Sequence, residues 1–506
     1  MPISPSYDDF AQTYDRGEAQ IVSTRLVADL ETPVSAMLKL ARNARYSFLL
    51  ESVEGGAVRG RYSIIGMNPD VIWKVEGNRA LINRKANADP SAAFETLDLA
   101  PLEALRALLA ESRIELPEDA PPMAAGVFGY MGYDMVRLME ELPLPNPDVL
   151  GLPDGMLIRP TVMAIFDSVR DEVTVTSPVY VEKAVSARIA YARAQERLNE
   201  IVDALDRPLD HLASRGEDAP PIAAAESNTA PGAYKAMVLK AKDYITAGDI
   251  FQVVLSQRFE TEFTLPPFAL YRSLRRVNPS PFLYYLDFDS FAVIGSSPEI
   301  LVRVRDGKVT IRPIAGTRRR GATPAEDRAL AAELLADPKE RAEHLMLLDL
   351  GRNDAGRVCD IGSIKVTDQY ILEYYSQVMH IVSNVEGKLA HKHDAIDALV
   401  AGFPAGTVSG APKVRAMEII DELEHDKRGV YGGCVGYFSA DGEMDTCIVL
   451  RTAIVKDGRM YVQAGAGVVA DSIPESEHQE CINKAKALFR AAEEAVRFAG
   501  RAGRGQ

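Results

Sequence analysis

The sequence predicts a mixed α+β protein in which large antiparallel sheets pack together and helices lie outside them. Apolar and β-branched runs flank short polar turns, as in segments 161–167 and 172–177, which are predicted to be paired strands. Helical patterns such as residues 324–335 occur between such strands. The chain shows no internal repeat or low-complexity array, so these elements are expected to form a globular body.

Composition and charge restrict the functions that the chain can have. The 506 residues suffice for two lobes or one large α/β body. A formal net charge of −15 argues against nucleic acid as a partner, because phosphate binding needs a concentrated basic face. No apolar run reaches about eighteen residues, and the start, MPISP, is not a secretory signal, so no membrane association is expected. Scattered cysteines suit a reduced, cytoplasmic protein; they are Cys359, Cys434, Cys447 and Cys481.

A segment rich in Ala, Pro, Asp and Ser at 205–232 is predicted to be a linker or a surface excursion. It separates an N-terminal region, 1–204, from a region at 233–506 that is denser in glycine turns and strand patterns. We expect the N-terminal region to contribute strands to the same body.

A predicted hairpin positions Glu299. Asp306-Gly307 is a strong signal for a two-residue turn between apolar, β-branched runs. Counting back from this turn sets Glu299 opposite Ile314, beside the segment 313–317. The sequence therefore predicts a carboxylate next to a glycine-containing strand end.

A second predicted hairpin positions Arg451. Asp457-Gly458 follows a predicted strand at 447–456, and the same count sets Arg451 opposite Ala464. Arg451 would then lie beside Gly465-Ala466-Gly467, which is predicted to be a turn with exposed N–H groups. An arginine beside such groups is a candidate site for a carboxylate ligand.

Two pairs of glutamates could hold a cation. Glu340 and Glu343 share one helix face, and Glu477 and Glu480 repeat the spacing before a C-terminal helix. Four carboxylates, some acting through water, would suit Mg²⁺. For either pair alone, this spacing is more typical of solvated surface glutamates, so the spacing by itself does not identify a metal site.

Two other motifs imitate known sites. GGCVG at 432–436 resembles a nucleophile elbow around Cys434, with His478-Gln479-Glu480 as possible partners, but strand residues follow it where an elbow needs a helix. Residues 465–470 imitate a dinucleotide fingerprint, but Pro474 is expected to disrupt the helix that should follow. Neither a cysteine nucleophile nor a nicotinamide site is expected.

Long ordered motifs over most of residues 233–490 resemble the chorismate-utilising enzyme family, and within it the members that make anthranilate. These motifs are DIFQVVLS at 249–256, SPE at 297–299, PIAGTR at 313–318, EHLM at 343–346, DLGRND at 349–354, FPAGTVSGAPK at 403–413 and PESE at 474–477. The segments LLES at 49–52 and NPSPF at 278–282 are similar to the family's tryptophan-binding elements. The resemblance implies the family's fold, with a catalytic domain at 233–506 and a regulatory, tryptophan-binding region at 1–204.

The resemblance also assigns roles to individual residues. Glu343 and Glu480 would bind Mg²⁺ directly, and Glu340 and Glu477 would help through water. Contacts to chorismate would come from Gly316, Thr317, Tyr431, Arg451, Gly465, Ala466, Gly467 and Lys484, with Thr407 completing the pocket. Glu299 is the candidate acid for the departing hydroxyl group, since burial near other carboxylates would raise its pKa. His380 would support the later loss of a ring proton and pyruvate.

Two positions favour anthranilate as the product. Family members that aminate ring C4 resemble this chain but carry lysine where Ala315 stands. Members that add water at C2 carry a lysine where this chain has Gln252, and a neutral amide cannot activate water. Ammonia is already nucleophilic, so both substitutions favour amination at C2.

Nitrogen supply and regulation follow from the same resemblance. No glutaminase domain is evident, so ammonia is expected from solution or from a separate glutamine amidotransferase subunit. Tryptophan is expected to inhibit through Glu51, Ser52, Pro281, Phe282 and Leu283. The alternatives are a related enzyme making aminodeoxychorismate, isochorismate or salicylate, or a catalytically silent amino-acid sensor of the same fold.

Overall fold

The computed structural model describes residues 2–41, 44–54, 58–209, 220–375 and 378–499. Within these ranges, eleven α-helices and two short 3₁₀ helices (133–138 and 406–408) form. The α-helices are α1 (Tyr7–Asp15), α2 (Pro33–Leu40), α3 (Pro101–Glu111), α4 (Ala187–Asp206), α5 (Pro231–Ala247), α6 (Pro267–Val277), α7 (Pro324–Ala336), α8 (Pro338–Gly356), α9 (Ala395–Gly402), α10 (Lys413–Leu423) and α11 (Pro474–Ala499).

Twenty-three strands lie in the described ranges, and their pairings connect them into one antiparallel network. They are β1 (Ile3–Ser4), β2 (Gln20–Val27), β3 (Ser47–Glu54), β4 (Val58–Glu76), β5 (Arg79–Asn83), β6 (Glu95–Thr96), β7 (Gly126–Met131), β8 (Gly155–Asp167), β9 (Glu172–Val179), β10 (Glu226–Ser227), β11 (Gln252–Glu262), β12 (Phe282–Asp287), β13 (Phe291–Ser297), β14 (Ile300–Arg305), β15 (Lys308–Ile311), β16 (Ile314–Arg319), β17 (Lys365–Tyr374), β18 (Val378–Lys388), β19 (Gly410–Ala411), β20 (Cys434–Ser439), β21 (Met444–Ile448), β22 (Thr452–Lys456) and β23 (Arg459–Val468). The predicted α+β class with large antiparallel sheets is confirmed.

Strand pairing joins the two halves of the sequence. β3 pairs with β12, which sets Ser52 opposite Phe282, and β7 pairs with β20, which sets Met131 opposite Cys434. Part of the predicted linker, residues 210–219, lies outside the described residues, while β10 within it pairs with β11. The N-terminal strands therefore belong to the same sheet network as the C-terminal ones.

The core lies on both faces of the central strands. In β13, Ala292 and Ile294 join one apolar cluster, whereas Phe291 and Val293 join another. Successive side chains of a strand point to opposite faces, so a strand buried on both sides reads as a continuous apolar run. The first cluster is covered by α6 and α11. None of the described helices is long and apolar enough to cross a membrane.

The structure corrects three local predictions. The strand predicted at 447–456 is broken, because Arg451 adopts a φ of +48° between β21 and β22. Gly465-Ala466-Gly467 is not a turn but lies inside β23, paired with β11. Pro474 does not disrupt a helix; it begins α11, since a first-turn N–H has no partner within the helix to lose.

Candidate active site

Glu299 lies between β13 and β14 with 5% of its surface exposed. Thr407 donates its hydroxyl hydrogen bond to Oε2 at 3.2 Å, and the Ile314 N–H faces Oε1 at 3.4 Å, as the hairpin count predicted. Burial raises the pKa of Glu299 from 4.5 to about 8, although these two donors and the cations of Arg451 and Lys484 act in the opposite direction. At neutral pH the group is therefore largely a protonated acid.

His380, on β18, is a buried neutral imidazole. β16 pairs with β18 through a bulge at Gly316, whose φ is +76°, and this sets Thr317 opposite His380. Nδ1 lies 3.1 Å from the Gly316 carbonyl oxygen and 3.0 Å from the Thr317 hydroxyl. Burial, followed by the charge of Arg451, lowers the pKa of His380 to about 4.

The hydrogen-bond partner fixes the tautomer of His380. A carbonyl oxygen only accepts, so Nδ1 carries the hydrogen and Nε2 carries the lone pair. Nε2 is buried and has no partner within the described part of the chain. An unprotonated, unpartnered ring nitrogen is able to take up a proton from a bound molecule.

Arg451 supplies a cation with no hydrogen-bonding partner among the described residues. Burial lowers its pKa, whereas Tyr375 and Glu299 raise it. A guanidinium starts from so high a pKa that it stays charged. This unpaired cation can therefore bind an anion.

The backbone of β23 directs two glycine N–H groups away from its partner strand β11. The Val254 and Ser256 N–H groups bond to the Ser409 carbonyl and to Glu424, away from β23. Antiparallel strands alternate bonded and non-bonded pairs, so their partners Gly467 and Gly465 also turn their N–H groups away from β11. The N–H group of Ala466 instead points toward β11. The N–H groups of Gly465 and Gly467, unlike that of Ala466, are therefore not engaged with β11.

Side chains crowd this glycine edge. A Cβ on Gly465 would lie 2.8 Å from the Tyr431 hydroxyl, and one on Gly467 would lie 2.6 Å from Gln252 Nε2. Lys484 donates to the Gly465 carbonyl at 2.9 Å and pairs with Glu480 at 2.7 Å. Glycine is favoured at both positions because a Cβ would come within 3 Å of these neighbouring atoms.

The four glutamates lie on α8 and α11. The pKa of Glu343 is raised by burial and then by the charges of Glu340 and Glu480, and Gln252 donates to its Oε1 at 3.2 Å. Burial and then Glu480 also raise the pKa of Glu477, while Glu340 pairs with Arg318 at 2.9 Å. The carboxylates therefore share one electrostatic neighbourhood.

The donor set suits a hard divalent cation. Across the described residues, no three His, Cys, Asp or Glu side chains converge closely enough to hold a metal by themselves. Mg²⁺ keeps several waters and commonly binds one or two carboxylates together with its substrate, so it does not need such a cluster. A cation would also relieve the repulsion that raises the Glu343 pKa.

Cys434 does not form a nucleophile elbow. It lies in β20, which continues into the hairpin with β21, as the sequence indicated. Burial raises its pKa to about 12. A buried thiol with so high a pKa is not a nucleophile at neutral pH.

The residues predicted to bind tryptophan come together across two strands. β3 and β12 set Glu51 opposite Leu283 and Ser52 opposite Phe282. Glu51 is buried and accepts hydrogen bonds from Tyr271 at 2.5 Å and from Arg275 at 2.6 and 2.9 Å. The Ser52 hydroxyl donates to the Tyr62 carbonyl at 3.3 Å.

The sequence reasoning missed a buried ion pair behind the site. Arg428 and Glu424 are 4% and 7% exposed and meet at 2.5 and 2.9 Å. Their spacing on the chain is that of an ordinary surface pair. The one available signal was the position of Arg428, three residues before Tyr431.

Comparisons with known proteins agree on a family. A family model described as chorismate binding enzyme matches residues 49–490. Anthranilate synthase component 1 of Cereibacter sphaeroides is 61% identical over 500 residues, which cover 99% of this chain and 100% of that protein. The component 1 of Pseudomonas aeruginosa is 48% identical and covers 93% of this chain and 94% of its own length.

Solved structures show the same fold. The crystal structure of anthranilate synthase component I from Streptococcus pneumoniae has a TM-score of 0.75 and 41% identity, covering 85% of this chain and 92% of that one. The menaquinone-specific isochorismate synthase of Escherichia coli has a TM-score of 0.70 at 18% identity, covering 96% and 98%. Because the identity of this second protein is only 18%, the similarity shows a shared fold and no shared activity.

The raised pKa of Glu299 predicts a specific pH dependence of stability. In the unfolded chain the carboxyl ionises near 4.5, and in the folded protein it ionises at about 8. The folded state binds the extra proton between these values, so stability is lost as the pH rises from about 5 to about 8. We expect Glu299→Gln to lose less stability than the parent over this range, measured by chemical unfolding at each pH. Parallel curves for the two proteins would contradict a protonated Glu299.

Proposed function

This chain belongs to the chorismate-binding enzyme family, and we propose that it is the aminating subunit of an anthranilate synthase. It converts chorismate and ammonia into anthranilate, pyruvate and water, the step that commits chorismate to tryptophan synthesis. The observation that carries the proposal is the buried acid Glu299 in the field of Arg451 and Lys484. An acid and two cations suit a dianionic substrate that must lose a hydroxyl group.

The cations and amides would bind the substrate's carboxylate. Arg451 forms a charge-assisted pair with the enolpyruvyl carboxylate, which also receives the N–H groups of Gly465 and Gly467 and the Tyr431 hydroxyl. Lys484, which now bonds to Gly465, adds positive charge at the same edge. Gly316 and Thr317 line the side nearest His380. Binding on a rigid strand edge would fix the ring beside Glu299.

Glu299 and His380 would divide the proton transfers. As ammonia forms a bond to ring C2, the ring double bond shifts and the C4–O bond breaks, while Glu299 protonates the departing oxygen to give water. Thr407 holds the acid in position through its hydrogen bond. His380 then accepts the C2 proton on Nε2 as the C3–O bond breaks and the ring becomes aromatic. The group that leaves is enolpyruvate, which becomes pyruvate by taking a proton from solvent on its methylene carbon.

Glu343 and Glu480 would hold Mg²⁺, with Glu340 and Glu477 assisting through water. The ion, when bound, would neutralise the ring carboxylate and withdraw charge from the ring.

Gln252 fits ammonia as the nucleophile, since it donates to Glu343 while its buried Oε1 has no partner in the described part of the chain. That oxygen is a free acceptor for an N–H of ammonia.

The ammonia must come from outside the chain. Glutamine hydrolysis by an amidotransferase needs a reactive nucleophile, and burial raises the pKa of every cysteine of this sequence: Cys359, Cys434, Cys447 and Cys481. We propose a glutamine amidotransferase subunit as the partner, consistent with the component 1 names of the relatives.

A product assay tests the function. We expect the purified chain, given chorismate, Mg²⁺ and ammonium without any partner, to form fluorescent anthranilate and one equivalent of pyruvate. Glutamine in place of ammonium should give no product. Aminodeoxychorismate, isochorismate or salicylate as the product would contradict the proposal, and so would the absence of turnover, which a silent sensor would show.

The metal role predicts a loss of activity in Glu480→Gln. This change should abolish Mg²⁺-dependent turnover and weaken Mg²⁺ binding measured by calorimetry, because an amide oxygen carries no charge for the cation. Glu493→Gln, an exposed glutamate on the same helix, serves as the control and should keep both properties. Normal turnover in a folded Glu480→Gln protein would refute the ligand role.

Tryptophan inhibition is proposed at the β3–β12 junction, formed by Glu51, Ser52, Pro281, Phe282 and Leu283. Ser52→Phe should weaken inhibition, measured as the tryptophan concentration that halves the rate, because the larger ring fills space beside Phe282. Ser91→Phe at an exposed turn is the control and should leave inhibition unchanged. Unchanged inhibition in folded Ser52→Phe would remove Ser52 from the site.

A further inference from the structure

Arg428 occupies the junction between the parts of the site. Its guanidinium donates to Glu424 through Nε at 2.9 Å and through NH2 at 2.5 Å. Two backbone carbonyls also accept from it: Val408 at 2.7 Å and Val254 at 2.6 Å. Buried charges persist only where such bonds satisfy them, so this geometry has little freedom to change.

Each of these contacts leads to a different site residue. Val408 follows Thr407, whose hydroxyl bonds to Glu299. Val254 lies two residues after Gln252 on β11. The guanidinium also lies 5.6 Å from the ring centroid of Tyr431. One side chain therefore contacts the carbonyl next to Thr407, the strand that carries Gln252, and the ring of Tyr431.

Its partner Glu424 extends the network to the glycine edge. Glu424 Oε1 accepts from both the N–H and the hydroxyl of Ser256, at 2.8 and 2.9 Å. Ser256 lies opposite Gly465 in the β11–β23 ladder. The same bond turns the Ser256 N–H away from β23, and the Gly465 N–H opposite it is likewise turned away from β11.

We propose that Arg428, held by Glu424, is a positioning residue that sets Thr407 and Tyr431 at once for the acid step and for carboxylate binding. This inference rests on the proposed function for its substrate. Lysine cannot replace the arginine, because one ammonium group cannot span Glu424 and two carbonyls in the planar geometry of a guanidinium.

A pair of double-mutant cycles tests the inference. Arg428→Lys should lower kcat on the order of 100-fold, since small displacements of catalytic groups have effects of this size. In a Thr407→Val background the same change should lower kcat far less, because the bond that Arg428 positions is already gone. The effect of Arg428→Lys on the chorismate Kd, measured by calorimetry, should likewise be smaller in a Tyr431→Phe background than in the parent protein.

Arg159 is the matched control. It is 7% exposed, makes bidentate bonds of 2.8 Å to Asp70 and lies 4.1 Å from the Tyr180 ring centroid, away from the site. Arg159→Lys should lower the unfolding midpoint but leave kcat and the chorismate Kd unchanged in either background. A purely structural Arg428 would behave in the same way.

The outcomes separate this inference from the proposed function. Anthranilate formation by the parent protein tests the proposed function. The coupling between Arg428→Lys and the Thr407 or Tyr431 variants tests the positioning role of Arg428. The cycle that measures the chorismate Kd needs no turnover. Strictly additive losses in both cycles, or a folded Arg428→Lys protein with parental kcat and Kd, would overturn the inference. If Arg428→Lys does not fold, Glu424→Gln takes its place in both cycles with the same expected coupling.

Discussion

The register of a continuous antiparallel ladder determines where the functional side chains lie. β3 pairs with β12, β12 with β13, β13 with β22, β22 with β23, and β23 with β11. A slip of one residue in any pair would turn every side chain of that strand to the other face. Because β13 is buried on both faces, such a slip would also disrupt two cores. Packing therefore protects the site geometry.

The ladder also explains how an acidic protein can build an anion site. The chain carries a net charge of −15, yet Arg451, between β21 and β22, and Lys484, which bonds to the Gly465 carbonyl, both place positive charge near Glu299. The β22–β23 pairing ends at Ala453 and Val462, and Arg451 lies just before it with a left-handed φ of +48°. Glu299, in the same field, remains largely protonated because its burial outweighs the two nearby cations. The local arrangement of charged groups, and not the net charge of the chain, therefore determines the electrostatic potential at the site.

Sequence reasoning reached those features that depend on short-range rules. The Asp-Gly turns gave the registers near Glu299 and Arg451, since a two-residue turn fixes which residues face each other. Gly465-Ala466-Gly467 was predicted to be a turn, because its pairing with β11, some 200 residues earlier in the chain, cannot be inferred from local patterns. Sequence reasoning could not identify Arg428 for the same reason: its burial depends on β11, the Val408 segment and Tyr133, whose ring centroid lies 4.7 Å away. The residue roles came from family motifs and not from patterns.

The carboxylates proposed for the metal already have partners, which has a consequence for binding. Arg318 pairs with Glu340, Gln252 donates to Glu343, and Lys484 pairs with Glu480. A cation at these groups would replace existing contacts, so its net binding energy is smaller than the bare charges suggest. Release of Lys484 from Glu480 would leave that ammonium free for the substrate's carboxylate. Metal and substrate would then each favour the binding of the other, because a coupling free energy between two sites acts equally in both directions.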